Sequence, residues 1–119
     1  MRFEIRNRPS YALLEVELMP GESIEAEAGA MTYMSPNVRV NTKIREESFL
    51  SALGLKILGG QSFFVNEYTA EGKPGKLALV SAPLGDMAHL KVSPGNGYII
   101  QKSAYVASSP TVDLDIKWQ

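Results

Sequence analysis

Apolar and polar residues alternate along most of this chain, in short runs broken by Gly, Pro and Asn. Phe3 and Ile5 alternate with Arg2, Glu4 and Arg6, and Leu14, Val16 and Leu18 alternate with Glu15 and Glu17. Successive side chains of a strand point to opposite faces, so each run predicts a half-buried strand. Strands are expected over Phe3 to Asn7, Tyr11 to Leu18, Ser23 to Ala28, Ala30 to Met34 and Val38 to Ile44. In the third, Ile24, Ala26 and Ala28 face the core, with Glu25 and Glu27 in solvent. In the fifth, Val38, Val40, Thr42 and Ile44 point inward, and Arg39, Asn41 and Lys43 outward. Met19-Pro20-Gly21-Glu22 reads as a turn in which Pro presets φ and Gly supplies φ > 0. Gly29 predicts a bulge or tight bend.

Arg45 to Leu58 breaks the period of two. Phe49, Leu50, Leu53, Ile57 and Leu58 fall on one helical stripe, Glu46 and Glu47 suit a first turn, and Gly59-Gly60 suits a stop. One short helix is therefore expected as an insertion in the β chain. Such a helix is marginal alone, and its stripe needs a cover. These five apolar residues form the candidate interaction surface. The cover is the chain's own sheet, a neighbouring subunit or a membrane surface; the last fits poorly, because only Lys56 follows Arg45.

The strand pattern resumes at Ser62. Phe63, Val65, Glu67 and Thr69 alternate with Phe64, Asn66 and Tyr68, so both faces carry apolar bulk, as on a strand covered from two sides. Glu71-Gly72-Lys73-Pro74-Gly75 reads as a hairpin connection, Lys76 to Ser81 as a strand with Leu77 and Leu79 on one face, and Met87 to Val92 as another. The sum is roughly nine to eleven short strands, the mark of a β-sandwich, β-roll or barrel.

Two stretches echo each other. Pro94 to Trp118 lies on Pro20 onward without a gap: Pro20 meets Pro94, Gly21 meets Gly95, Ala30 meets Ala104, and Ser35-Pro36 meets Ser109-Pro110. The offset also keeps the inward set in step, since Val38, Val40, Thr42 and Ile44 meet Val112, Leu114, Ile116 and Trp118. A slip of one residue would turn each of these outward. One domain over residues 1–119, built of two repeated units at about 13–44 and 87–118, is the resulting expectation. The alternative is two similar hairpins of separate origin.

Composition narrows the chemistry. The 119 residues carry 12 basic and 13 acidic side chains, one histidine and no cysteine. A net charge of -1 gives no strong nucleic-acid signal, because polyanion binding needs a basic surface. The absence of cysteine removes disulfides and thiolate metal sites and is compatible with a cytoplasmic location, which is the expectation. No run is long and apolar enough to span a bilayer. His89, alone, builds neither a zinc site nor a triad. Glu22, Glu25 and Glu27, and Asp113 with Asp115, are weak calcium candidates that alternation alone explains as solvated faces. Gly59-Gly60-Gln61-Ser62 follows the expected helix, so it is no phosphate loop. Tyr68, Tyr98 and Tyr105 lack the interleaved Lys and Arg of a stacking platform. No catalytic, cofactor-binding or metal residue is assigned.

Tyr11-Ala12-Leu13-Leu14-Glu15-Val16-Glu17-Leu18, Pro20-Gly21-Glu22 and Glu25-Ala26-Glu27-Ala28-Gly29-Ala30-Met31-Thr32-Tyr33-Met34 resemble the start of the altered inheritance of mitochondria protein 24 family. Gly60-Gln61-Ser62-Phe63-Phe64-Val65-Asn66 and Pro94-Gly95-Asn96-Gly97 resemble its later blocks. The resemblance covers nearly the whole chain. It implies an all-β fold of the trp RNA-binding attenuation protein-like superfamily: an antiparallel β-sandwich or β-roll, internally duplicated. Mitochondrial relatives are associated with inner-membrane organisation, and the family brings no catalytic residues. Its members usually continue past the equivalent of Trp118-Gln119, so the chain reads as a short member or as the N-terminal part of a longer one. The function expected is that of a non-enzymatic, self-associating scaffold or interaction module without a cofactor. The alternative is a binding module for a small ligand or single-stranded nucleic acid, by analogy of fold alone.

Overall fold

A computed structural model of the chain describes residues 1–46, 62–81, 84–112 and 114. Eight strands occupy these residues: β1 (Arg2–Arg6), β2 (Leu13–Leu18), β3 (Ser23–Glu27), β4 (Met31–Met34), β5 (Val38–Glu46), β6 (Ser62–Ala70), β7 (Gly75–Val80) and β8 (Ala107–Ser108). They form two antiparallel four-stranded sheets, in the orders β1-β2-β7-β4 and β5-β6-β3-β8. Among the described residues the fold is all-β, with a single 3-10 turn at Lys102–Ala104 and no α-helix.

The chain passes repeatedly between the sheets. β2 lies in the first, β3 in the second, β4 in the first and β5 in the second, and β7 returns to the first after β6. The Pro20-Gly21 turn makes the first corner: Gly21 takes φ 85° and the Glu22 amide donates to the Met19 carbonyl at 2.9 Å. Gly29 serves the second as a tight bend, its amide donating to the Glu27 carboxylate at 2.9 Å. Asn37 fastens the last. Its amide donates to the carbonyls of Lys73 (2.9 Å), Glu71 (3.3 Å) and Pro74 (3.4 Å). Glu71 to Gly75 is thus a corner between sheets and not the hairpin connection its glycines predict. The same glycine and proline chemistry serves both, and only the partners of the flanking strands decide.

The inner faces supply the core. Val16 and Leu18 of β2 stand beside Leu77 and Leu79 of β7, and opposite them lie Ile24 and Ala26 of β3, Tyr68 and Ala70 of β6, and Val38 of β5. Leu14, Met34, Val106 and Ala107 close its margins. The alternation read in β2, β3 and β7 places the apolar core residues of those strands correctly. Gly75 is a point of close approach between the sheets: a Cβ there would lie 2.7 Å from Val38 Cγ2 and 3.3 Å from Ala70 Cβ.

Four expectations need correction. β5 runs on through Arg45 and Glu46, which pair with Phe63 and Ser62; the break in periodicity therefore begins later than the expected helix start. Of residues 38–43 in β5 only Val38 is buried, while Val40 and Thr42 are exposed, because β5 is an edge strand and the facing sheet does not cover its length. Phe64, next to Ile44 across the ladder, is exposed for the same reason. Glu25 is 2% exposed instead of solvated. Finally, Met87 to Val92 and residues 97–101 form no strand. Their alternation supplies a face but no edge to pair with, and a strand needs both. The expected helix with Phe49, Leu50, Leu53, Ile57 and Leu58 lies outside the described residues, as do Asp113 and Asp115 to Gln119. Among the described residues of the expected second unit, β8 is the one strand, and the expected duplication rests on the sequence pattern alone.

Candidate functional site

Two features stand out from the sandwich: a polar cluster on the outer face of the second sheet, and an apolar excursion between Met87 and Tyr105. The cluster is built by register. Glu25 of β3 lies opposite Glu67 of β6, and Lys43 comes from β5. The Lys43 ammonium donates to Glu67 Oε2 at 3.2 Å and to Glu25 Oε1 at 3.5 Å. Ser23 and Thr69 share a hydroxyl hydrogen bond at 2.7 Å. Tyr105 lies beside β3, its hydroxyl donating to the Glu25 carbonyl at 3.3 Å and lying 2.9 Å from Ser108 Oγ. This return of the chain sets β8 against β3 at Glu25 and Ala26, and no local pattern in β3 announces it.

The chemistry of this cluster is that of a clasp. The Glu67 carboxylate, and more weakly that of Glu25, hold the Lys43 ammonium above the ordinary lysine range against the opposing effect of desolvation. A lysine that acts as base or nucleophile needs the opposite shift. Among the described residues no three His, Cys, Asp or Glu side chains stand together as a metal site. The three N-terminal glutamates do separate work: Glu22 accepts from the Met1 ammonium at 2.7 Å and from the Met19 amide at 2.7 Å, Glu25 joins the cluster, and Glu27 bonds the Gly29 amide.

The excursion begins at a firm anchor. Arg8 grips Asp86 through two bonds, Nε to Oδ1 at 2.7 Å and Nη2 to Oδ2 at 3.0 Å. The Gly85 carbonyl accepts from the Ala12 amide at 2.9 Å, and Met87 is buried. Beyond it every residue from 88 to 101 is exposed. The run includes Leu90, Val92, Tyr98, Ile99 and Ile100, with Ile99 at 68% exposure. His89 is exposed as expected and meets Phe3 edge-on, with ring centroids 4.8 Å apart. Order returns at β8, where the Glu27 amide donates to the Val106 carbonyl at 2.9 Å.

The Arg8 hydrogen bonds, first, and that from the Met87 amide hold the Asp86 carboxyl below the ordinary aspartate range. A depressed native value stabilises the fold above the unfolded value, about 3.9, and that stabilisation disappears as pH falls through the native value. Asp86→Asn is expected to lower the melting temperature slightly at neutral pH and to match the parent in strong acid. Melting curves across acid pH check this; a difference that grows toward acid would contradict it.

A family model described as Mitochondrial biogenesis AIM24 matches residues 3–119. The chain belongs to this family. An AIM24-family chain of this length has a longer relative in an uncharacterized protein of Streptococcus pyogenes serotype M6, 30% identical over 112 residues. The match takes in 90% of this chain and 44% of the relative, so the chain spans less than half of that protein. It is also similar to a Streptococcus pyogenes protein solved by X-ray crystallography, at 27% identity and a TM-score of 0.45, over 68% of this chain and 38% of that one. No helix among the described residues of this AIM24 member is long and apolar enough to cross a membrane.

Proposed function

We propose that this AIM24-family chain is a non-enzymatic, self-associating β-module that works in the cytoplasm as a scaffold or interaction unit. The observation that carries the reading is the excursion: a run of fourteen consecutive exposed residues, 88–101, holding five large apolar side chains. Contiguous apolar surface of this kind marks interaction sites on soluble proteins. The polar cluster supports the same reading from the other side, since its lysine is held in the charged form and serves to fasten β5 and β6 to β3. The test is size-exclusion chromatography with light scattering on the unmodified chain and on the double variant Leu90→Lys with Ile99→Lys. The unmodified chain is expected to elute as an oligomer and the double variant as a folded monomer. A monomer in both cases would refute the proposal.

A further inference from the structure

The exposed run has local structure of its own. Ser93 and Asn96 form an isolated antiparallel bridge around Pro94-Gly95. The Asn96 amide donates to the Ser93 carbonyl at 2.9 Å and the Ser93 amide to the Asn96 carbonyl at 3.4 Å, with Gly95 at φ 76°. The turn of a hairpin is thus made, and the ladder stops there. Among the described residues, neither 88–92 nor 97–100 makes a further backbone hydrogen bond. The second arm, Gly97-Tyr98-Ile99-Ile100-Gln101, carries no charge. Natural edge strands are blunted by charged side chains, as β1 is by Arg2, Glu4 and Arg6. An uncharged arm with apolar side chains at consecutive positions has strand chemistry for both faces and no such protection.

We infer that Tyr98 to Gln101 pairs with the same segment of a second copy of this chain, antiparallel across a twofold axis. The inference rests on the self-association proposed above and adds its location and mode. A strand related to itself by a twofold axis perpendicular to it forms an antiparallel pair, and its contact is self-complementary without any further edge. Leu90, Val92, Tyr98, Ile99 and Ile100 expose on the order of 500 Å² of surface, the size of patch that marks an interaction site. A twofold contact that covered all five side chains on both copies would bury at most about 1,000 Å² in total, where specific association begins.

The chain has no cysteine, so single introduced thiols report cleanly. Directly opposed residues of an antiparallel pair have Cα atoms about 4.5–5.5 Å apart, which suits a disulfide. Tyr98→Cys, Ile99→Cys, Ile100→Cys and Gln101→Cys are compared under mild oxidation with Lys73→Cys, placed on an exposed corner. At least one of the four is expected to form a covalent dimer about tenfold faster than the control, through its high local concentration. Light scattering that shows an oligomer without selective cross-linking overturns this inference and leaves self-association standing. A monomer at every concentration, with no selective cross-link, overturns both. Equal cross-linking at Lys73→Cys marks random collision and also overturns it.

Discussion

Tyr68→Ala is expected to destabilise the fold by about 3–5 kcal/mol, the range for truncating a buried aromatic. Tyr68 is the largest fully buried side chain among the described residues, at 1% exposure. It sits on β6 between β3 and β5, opposite Ile24 on one side and Val40 on the other, and packs within the shared core of both sheets. Its removal opens a void that rigid strands on either side cannot fill. Its hydroxyl also receives the Asn66 amide at 3.2 Å, a bond whose loss alone is worth about 1 kcal/mol. Tyr68→Phe isolates that smaller part. Urea titration checks both: the midpoint should fall far for the alanine and little for the phenylalanine, with the slope unchanged. Equal shifts would mean that the hydrogen bond and not the packing holds this centre.

Gly75→Ala is expected to cost about 1–3 kcal/mol, the usual effect of adding a methyl group to a filled core. The conflict is steric and lies between sheets. The new Cβ would stand 2.7 Å from Val38 Cγ2, closer than packed carbons approach. Val38 is itself buried and belongs to the opposite sheet, so relief requires the sheets to part. The double variant Gly75→Ala with Val38→Ala removes the clashing branch. Their coupling in a mutant cycle should be strongly favourable. Additive losses in thermal or denaturant unfolding would show that the two sheets do not meet here.

What the sequence disclosed was local. The alternation in Leu14, Val16 and Leu18, and in Leu77 and Leu79, located the core, because a period of two is imposed by the backbone itself. The Pro20-Gly21 turn and the bend at Gly29 were equally legible from the φ requirements of those residues. Which sheet each strand joined was not, since corners and hairpins use the same turn residues, as Glu71 to Gly75 shows. Glu25 read as a surface charge because its partners, Lys43, Glu67 and β8, come from elsewhere in the chain. Val40 and Phe64 read as core because periodicity tells which face a residue takes but not whether the facing sheet reaches it. The apolar excursion read as ordinary strands for a related reason. The hydrophobic pattern of Leu90, Val92, Tyr98 and Ile100 was visible, and the absence of a partner for it within the described residues was not.

Sedimentation equilibrium of the unmodified chain over about a hundredfold range of concentration reads self-association directly, because association follows mass action. The apparent mass is expected to rise with concentration toward twice that of the chain. A single-chain mass across the whole range would contradict it.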